Sequence, residues 1–402
     1  MSRLSILQIF NRYLQYGGEE GSVFRIGDAL QELHDVEYFI SSSDELLRGG
    51  FFHKLRLPFL AFYNPALLKK LKNYQKVGRF DCWMVHNVFP GISPGAYALA
   101  FRLGVPVVHY LHNYKLGCVN GFMFHHGREN RDCLGGNFWP AIRDKTWRDS
   151  RVLTAVMAGV IYHTRKHLKL LDRVTHWIAI SEAQKRIHVE MGIPEERISV
   201  VHHFYESPAH REMPAFPENG HALFVGRLSP EKGVDHLLHA WALVPKERKL
   251  VIMGDGPELS ALQRLAQRLQ LENVTFTGFI SHQDQLPYWA NAAFSVVPSV
   301  WQEPFGMVVL ESWSYGRPVV AHHIGALPEI IREGEDGFLA DPSNGRHLAE
   351  RLETAFSQGT KLEVMGKNGF TRLATDFSRE KWLAKIGEVY RKALRKKEET
   401  PM

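Results

Sequence analysis

The sequence predicts an α/β protein made of two doubly wound domains, and three observations support that prediction. Short apolar runs alternate with helix-length amphipathic segments along the whole chain. This alternation is typical of βαβ units with parallel sheets. The 402 residues are too many for one domain of ordinary size. A proline-rich stretch near the middle has neither helical nor strand periodicity, and it separates two halves of similar pattern.

Both halves contain five strand candidates separated by longer segments. In the first half they lie at 4–10, 82–85, 105–110, 177–180 and 198–201, with helical patterns such as 22–33 and 94–103 between them. In the second half they lie at 222–225, 249–253, 274–277, 294–297 and 318–321. Strands separated by helix-length segments predict a parallel sheet in each half.

Prolines mark the predicted domain boundary. Pro208, Pro214 and Pro217 fall in the aperiodic segment 205–221, which we interpret as a linker. The predicted units are a first domain over 1–204, a second over 222–378, and a C-terminal helix over 379–402. The basic end of that helix suggests that it packs back on the first domain.

Charge differs between the halves. Residues 1–205 hold 26 Lys and Arg against 18 Asp and Glu, whereas residues 206–402 hold 23 against 25. The basic half suggests an anionic partner: a lipid surface, nucleic acid or a phosphorylated substrate. Three cysteines rule out a disulfide scaffold and favour a cytoplasmic protein. No apolar run reaches the length of a spanning helix, and the start predicts no signal peptide.

The segment 298–321 (PSVWQEPFGMVVLESWSYGRPVVA) places two glutamates around a predicted helix start. Glu303 falls on the loop before a helix over 306–315, and Glu311 lies inside that helix. The helical repeat puts the two positions within about 80° and about 12 Å of each other. Free N–H groups at such a helix start suit a diphosphate, with hydroxyl acceptors for a sugar and a ribose on either side. The alternative is a pair of solvated glutamates.

A second loop, GRLSPEKG at 226–233, follows the predicted strand 222–225. Gly226 lets the chain turn at the strand end. Arg227 and Lys232 then lie at the carboxyl edge, where open α/β sheets bind ligands. Two cations there suit a diphosphate and its growing charge as it leaves; two solvated cations are the alternative.

Two glycine turns follow other strands. Gly254 begins the turn GDGP after the strand 249–253, and it is weak evidence by itself. Gly17 and Gly18 follow the strand 4–10 and predict a loop that lets backbone approach a ligand. The G-x-G-x-x-G spacing is missing there, which argues against a nicotinamide dinucleotide site.

With these motifs, the chain resembles the retaining glycosyltransferases of family 4, which have the GT-B architecture: two Rossmann-like domains facing a central cleft. The resemblance rests on Gly17-Gly18, LHNYK with His112, GRLSPEKG, GDGP, EPFGMVVLE and GALPEIIREGEDGFL. It extends from about residue 6 to residue 385. Two glutamates separated by seven residues, together with GRLSPEKG, are its most specific part.

The resemblance implies a role for each matching residue. Arg227 and Lys232 would hold the donor diphosphate, Glu303 the donor sugar hydroxyls and Glu311 the nucleotide ribose. His112 would face the reacting sugar. The expected catalytic residues are thus His112, Arg227, Lys232 and Glu303. The expected donor-binding residues are Gly17, Gly18, Gly226, Gly254, Phe305, Gly306, Met307, Val308 and Glu311.

The reaction implied is transfer of a sugar from a nucleotide-diphosphate sugar to a glycan or lipid-linked acceptor, with retention at the anomeric carbon. Cell-envelope or exopolysaccharide biosynthesis is the expected setting. No Asp-x-Asp arrangement occurs in the sequence, so no metal and no cofactor beyond the co-substrate is expected. The alternatives are a GT-B-type sugar-nucleotide epimerase, a phosphorylase, and a non-catalytic nucleotide-sugar-binding subunit.

Two further features leave alternatives open. Cys118, His125, His126 and Cys133 suggest zinc, but no C-x-x-C accompanies them, so buried or free thiols are favoured. Segments 48–79 and 139–177 interleave cations with apolar residues. They predict either peripheral contact with an anionic membrane, on the inner face of the cell membrane, or two amphipathic helices packed on the first domain. No reader motif supports a nucleic-acid partner.

Overall fold

Two six-stranded parallel sheets, each covered by helices, form the molecule. The structure is a computed structural model that describes residues 3–12, 18–42, 51–206 and 213–399. The predicted α/β class with two Rossmann-like domains is confirmed. The residues at 207–212 of the predicted linker lie outside the described part.

The first sheet has the strand order β2-β1-β3-β4-β7-β8, with every neighbouring pair parallel. Its strands are β1 (Ser5–Arg12), β2 (Asp35–Ser42), β3 (Cys82–Val85), β4 (Val107–Tyr110), β7 (His176–Ala179) and β8 (Ile198–Val200). The helices of this half are α1 (Gly18–Gln31), α2 (Phe51–Phe62), α3 (Pro65–Gly78), α4 (Gly95–Arg102), α5 (Trp139–Arg143), α6 (Arg151–Lys166), α7 (Leu170–Arg173) and α8 (Glu182–Glu190). A small antiparallel hairpin pairs β5 (Phe124–His125) with β6 (Arg128–Glu129).

The second sheet has the order β11-β10-β9-β12-β13-β14 and is also fully parallel. Its strands are β9 (His221–Val225), β10 (Leu250–Met253), β11 (Val274–Gly278), β12 (Ala292–Val297), β13 (Val319–His322) and β14 (Gly337–Ala340). The helices are α9 (Val234–Trp241), α10 (Leu259–Arg268), α11 (Leu286–Ala290), α12 (Met307–Ser314), α13 (Leu327–Ile330), α14 (Gly345–Ser357), α15 (Thr360–Thr375) and α16 (Arg379–Glu399). Among the described helices, none combines the length and the apolarity needed to cross a bilayer.

The ten predicted strands are all present, within a residue or two at each end, but two edge strands were missed. β2 alternates exposed and half-buried residues, and β14 is four residues long and begins at Gly337. The exposed positions of β2, and the short length and leading glycine of β14, weaken the apolar signals of these two strands. The interpretation of segments 48–79 and 139–177 as two helices was wrong. Between them they form the five helices α2, α3, α5, α6 and α7, and the second segment ends in β7.

The strand order explains where a ligand site can form. Each sheet reverses its direction of growth once, between β1 and β3 in the first and between β9 and β12 in the second. Loops at the carboxyl ends of the strands diverge at such a switch point and leave a crevice. The loops that follow β9 and β12 carry the GRLSPEKG and EPFGMVVLE motifs, so the fold places these two motifs side by side.

Apolar packing continues from one domain to the other. One buried cluster contains Tyr110 and Phe204 from the first half together with Phe305 and Trp313 from the second. The C-terminal helix α16 lies on β4, β7 and α1 of the first sheet. Its Tyr390 is fully buried there and contacts His34 ring-to-ring at 5.7 Å. Burial of these apolar side chains from both domains in one cluster stabilises the contact between the domains.

A carboxylate also joins the domains. Glu329 of α13 accepts hydrogen bonds from the backbone amides of Glu182 (2.8 Å) and Ala183 (3.3 Å), at the start of α8 in the other domain. His202 Nε2 lies 2.6 Å from the same carboxylate. Burial alone would raise the pKa of Glu329, but these hydrogen bonds outweigh it and hold the pKa below its ordinary value of 4.5. An ionised Glu329 therefore caps a helix across the domain seam.

We predict that Glu329→Gln lowers the free energy of unfolding by about 1–3 kcal/mol at pH 7, because a charge-assisted cap becomes a neutral one. A depressed carboxyl pKa stabilises the fold only above the unfolded-state value. The difference from wild type should thus shrink as the pH falls below 4.5, through the native pKa. Denaturant unfolding at several pH values measures it.

The control is Glu335→Gln, because Glu335 is exposed and its carboxylate lies 3.9 Å from Arg332. This substitution should change stability little at any pH. A Glu329→Gln variant whose loss of stability is as large at pH 3 as at pH 7 would contradict the ionised cap.

Candidate functional site

Lys232 and Glu303 form the centre of the candidate site. Lys232 ends a 3₁₀ turn at Pro230–Lys232, and Gly233 follows it with φ +66. A Cβ at position 233 would lie 2.0 Å from the carbonyl oxygen of Pro298. Only glycine allows the loop after β9 to pass this close to the loop after β12. The close passage brings Lys232 Nζ to 2.8 Å from Glu303 Oε2.

Three donors hold the Glu303 carboxylate, which is 7% exposed. Besides Lys232, Ser299 Oγ donates to Oε2 at 2.9 Å and Trp301 Nε1 donates at 3.0 Å. All three reach the same oxygen. Oε1 makes no hydrogen bond to any described residue, so this oxygen is available to a ligand. A buried carboxylate with such partners is held in one orientation.

Trp301 links this network to the first domain. Its indole lies under the Lys232 ammonium, 5.2 Å from Nζ to the ring centroid. The ring also packs edge-on against Tyr114 at 6.4 Å and Phe122 at 5.5 Å, both in the first domain. The side chain that orients Glu303 is therefore itself positioned by the other domain.

The start of α12 lies four residues after Glu303 in the chain. Gly306 caps the helix with φ +94, a conformation that favours glycine, and supplies no side-chain acceptor to the first helical amides. Those amides, at Met307 and Val308, therefore present donors and a partial positive charge to the crevice. Phe305 is buried against His203 of the first domain, with ring centroids 5.2 Å apart. Arg25 of α1 reaches Met307, with Nη2 3.9 Å from Sδ.

Glu311 lies further along the chain, in the interior of α12. Burial raises the pKa of its carboxyl to about 7. His282 Nδ1 is 3.7 Å from Glu311 Oε1. At neutral pH the group is thus divided between its charged and neutral forms, and small changes in its surroundings shift that balance.

The remaining predicted residues of the second domain line the same edge. Gly226 and Gly254 are in backbone contact: a Cβ on Gly254 would lie 1.8 Å from the Gly226 carbonyl oxygen. Arg227 is exposed and forms no ion pair with a described residue. Within the described part of the chain, one cation, Arg227, has no acidic partner, whereas the other, Lys232, pairs with Glu303.

His112 lies at the carboxyl end of β4 in the first domain. Its Nε2 is 2.9 Å from His86 Nδ1, and its ring stacks on Tyr110 with centroids 5.0 Å apart. Burial lowers the pKa of His112. Gly18 is the first residue of α1, with open space around it, whereas Gly17 lies outside the described residues. Glu19, the next residue of α1, bonds Asn87 and Asn113 beside His112.

The cysteine and histidine cluster offers no metal site in the described part of the chain. Cys118 and Cys133 are buried free thiols, and burial raises the pKa of Cys133 to about 11. Cys118 Sγ lies 2.9 Å from Asn120 Oδ1, and His125 Nε2 lies 2.8 Å from the carbonyl oxygen of Asp144. Separate partners of this kind fit a structural role.

Four residues that complete the site were not singled out from the sequence: Ser299, Trp301, Gln8 and His86. Ser299 and Trp301 stand within four positions of Glu303, and their polar side chains next to a buried carboxylate were the available signal. Gln8 and His86 lie on β1 and just after β3. Only the sheet brings them to His112, so no local pattern could reveal them.

Two family models match the chain, one for each domain. The first, described as Glycosyltransferase Family 4, matches residues 16–206. The second, described as Glycosyl transferases group 1, matches residues 208–372. Together they span nearly the whole chain. The chain belongs to the group 1 glycosyltransferases of family 4 type, with the GT-B fold.

Curated relatives match mostly through one domain. An exopolysaccharide phosphotransferase of Streptomyces coelicolor is 37% identical over 164 residues, which are 39% of this chain and 17% of the relative. A sulfoquinovosyl transferase of Arabidopsis thaliana is 27% identical over 374 residues, which are 90% of this chain and 64% of the relative. The chain therefore spans less than two thirds of the length of these relatives.

Solved structures agree with the fold over almost the full length. A sucrose-phosphate synthase of Thermosynechococcus elongatus has a TM-score of 0.70 at 20% identity, covering 97% of this chain and 98% of that one. Anabaena HepE in complex with UDP has a TM-score of 0.68 at 19% identity, covering 96% and 99%. At these identities the likeness establishes the GT-B architecture.

Proposed function

We propose that this protein transfers a sugar from a nucleotide-diphosphate sugar to a glycan or lipid-linked acceptor, with retention of anomeric configuration. The observation that carries the proposal is the Lys232–Glu303 pair, 2.8 Å apart at the switch point and beside the start of α12, where the cap residue Gly306 supplies no side chain. A cation, free helix amides and a half-free carboxylate at one crevice suit a diphosphate joined to a polyhydroxyl group.

In the proposed arrangement each group has one task. Arg227, Lys232 and the amides from Phe305 to Val308 hold the diphosphate and stabilise its charge as the glycosidic bond breaks, without a metal ion. Glu303 Oε1 accepts from sugar hydroxyls, and Glu311 accepts from the ribose. His112, with Gly17 and Gly18, approaches from the first domain. The departing phosphate takes the acceptor proton, so the scheme needs no protein base.

The nucleotide and the pathway are proposed from the relatives. HepE has been solved with UDP and with UDP-glucose, and UDP is the nucleotide we propose for this chain. The name of the Streptomyces relative supports a role in exopolysaccharide or cell-envelope biosynthesis. A non-catalytic subunit or an epimerase would not require Lys232 and Glu303 to be held in this geometry.

We predict that Lys232→Ala and Glu303→Ala each reduce turnover by roughly 10²–10³-fold or more while the protein stays folded. Lys232 loses its contact with the leaving diphosphate, and Glu303 loses its contact with the sugar. The measurement is nucleotide release from a panel of UDP-, GDP- and dTDP-sugars, which also tests the proposed function.

The matched control is the surface pair Glu363 and Lys367 on α15, whose charged atoms lie 2.7 Å apart. Glu363→Ala and Lys367→Ala should leave turnover unchanged. Near-full activity of either site variant, or no release from any sugar nucleotide with folded wild-type protein, would overturn the assignment.

We predict that UDP-glucose binds more tightly as the pH rises through 7, because the ionised form of Glu311 accepts both ribose hydroxyls. Below its pKa of about 7, binding must first remove a proton from Glu311. Each pH unit below the pKa then weakens binding by up to about tenfold. Calorimetric titration between pH 6 and 8 measures the dependence.

Glu311→Gln should bind more weakly at pH 8 and show a flatter pH dependence. His282→Asn is the control, because His282 lies next to Glu311 and its replacement leaves the Glu311 carboxyl in place. It should keep the wild-type slope. Parallel pH curves for wild type and Glu311→Gln would contradict the proposed role of Glu311.

We further propose peripheral contact with an anionic membrane through α2, α3 and α6, at the cytoplasmic face. Phe59 is 75% exposed, Val77 86% and Val152 72%. The helix α3 also carries four exposed lysines: Lys69, Lys70, Lys72 and Lys76. Apolar side chains flanked by cations suit the boundary between lipid head groups and acyl chains.

We predict that wild-type protein sediments with vesicles containing phosphatidylglycerol but not with pure phosphatidylcholine. Replacing Lys69, Lys70, Lys72 and Lys76 with Gln should weaken binding on the order of 100- to 1,000-fold, at about 1 kcal/mol per lysine. The control removes the same charge elsewhere, with Lys361, Lys367, Lys381 and Lys385 replaced by Gln, and should still sediment. Equal loss of vesicle binding in both variants would show that binding depends only on the net charge of the protein, and it would contradict the proposed surface.

A further inference from the structure

An unbroken chain of hydrogen bonds runs through the first domain to His112. Gln8 Oε1 is 2.7 Å from His86 Nε2, and His86 Nδ1 is 2.9 Å from His112 Nε2. Gln8 is fully buried in β1, and His86 is 3% exposed directly after β3. Neither residue touches the crevice of the second domain, so nothing in the proposed chemistry yet explains them.

The sheet sets the geometry of this chain. β1, β3 and β4 are neighbouring strands, with Gln8 opposite Met84 and Val85 opposite His109. The three groups therefore lie in a row across the carboxyl edge of the sheet. Backbone pairing fixes their spacing, so the side chains do not depend on a mobile loop for their register.

Hydrogen-bond chemistry then determines the direction of each bond. A carboxamide oxygen only accepts, so His86 carries a proton on Nε2. A neutral His86 ring has a lone pair on Nδ1, and the hydrogen between the two rings must come from His112 Nε2. His112 is then left with a lone pair on Nδ1. This nitrogen has no hydrogen-bond partner among the described residues.

Stacking limits rotation of the His112 ring. Its centroid lies 5.0 Å from that of Tyr110 and 5.2 Å from that of His86, with interplanar angles of 23° and 30°. Burial lowers the pKa of His112 and lowers that of His86 well below its ordinary value. Both rings are therefore neutral at pH 7, which the direction of the hydrogen bonds requires.

We propose that Gln8 and His86 are positioning residues that hold His112 in the tautomer protonated on Nε2, which leaves Nδ1 to accept a hydrogen bond from a hydroxyl of the transferred sugar. The proposal deepens the proposed function, since it rests on His112 facing that sugar. The opposite tautomer would present an N–H donor at the same place. It could not accept from the hydroxyl in that geometry.

The first test reads the tautomer directly and needs no substrate. In protein labelled with ¹⁵N-histidine, long-range proton–nitrogen correlation shows which ring nitrogen of His112 is protonated, and His112→Asn assigns the signals. We expect protonation on Nε2 in wild type. We expect a mixture of tautomers in Gln8→Leu. Protonation on Nδ1 in wild type, or an unchanged single tautomer in Gln8→Leu, overturns the proposal.

A matched control separates loss of the hydrogen-bond chain Gln8–His86–His112 from loss of any buried glutamine. Gln75 Oε1 accepts from the ring N–H of Trp83 at 2.6 Å in the same domain, outside that hydrogen-bond chain. Gln75→Leu should leave the His112 signals unchanged. If Gln8→Leu does not fold, His86→Phe replaces it, because phenylalanine offers no acceptor to His112, and the same mixture of His112 tautomers is expected. An unchanged tautomer in that variant also overturns the proposal.

The second test is kinetic, with release of UDP from UDP-glucose. Gln8→Leu should lower kcat roughly 10- to 100-fold, with KM changed less than about threefold, because the lost interaction acts on bound sugar. A change confined to KM, or an unchanged kcat in Gln8→Leu, overturns the positioning role. If no sugar nucleotide reacts with wild type, the proposed function fails. The tautomer measurement still tests whether Gln8 and His86 hold the tautomer of His112.

Discussion

The candidate site depends on keeping one carboxylate charged where little water reaches it. Glu303 is 7% exposed, and an unpaired carboxylate at that depth would be strongly unfavourable. Lys232, Ser299 and Trp301 compensate by donating to a single oxygen. Because they leave Oε1 unbonded, the same arrangement that makes burial tolerable also presents an acceptor with a fixed direction. Structure and proposed chemistry therefore rest on the same three hydrogen bonds.

That carboxylate is also sensitive to how the two domains sit. Trp301 belongs to the second domain, but its ring packs on Tyr114 and Phe122 of the first. Ser181 Oγ of the first domain donates to the carbonyl oxygen of Pro304, next to Glu303, at 2.7 Å. Separating the domains would remove packing from the indole that orients Glu303. The site thus reaches this geometry only when the seam is closed.

The uneven charge of the chain has a structural counterpart. In the near-neutral second half, Lys232 is paired with Glu303 and Arg227 forms no ion pair with a described residue, so the proposed diphosphate site relies on two local cations. In the basic first half, Lys69, Lys70, Lys72 and Lys76 are exposed on one helix. This cluster of positive charge lies on a helix of the first domain and not on the loops that carry Lys232 and Glu303. It suits an extended anionic surface better than a single phosphate.

The sequence by itself determined the class of fold, ten of the twelve strands of the two main sheets, and the two loops that carry Lys232 and Glu303. These features leave local signals: apolar runs, glycine turns, and a helix start within a few residues of the polar side chains. The edge strands β2 and β14 left weaker signals because β2 is partly exposed and β14 is short and begins at a glycine. The packing of Trp301 on Tyr114 and Phe122, Glu329 as a cap on α8, and Gln8 with His86 behind His112 were decided by tertiary structure alone. Each joins residues far apart in the chain or on different domains, and only sheet order and domain packing bring such groups within hydrogen-bond distance.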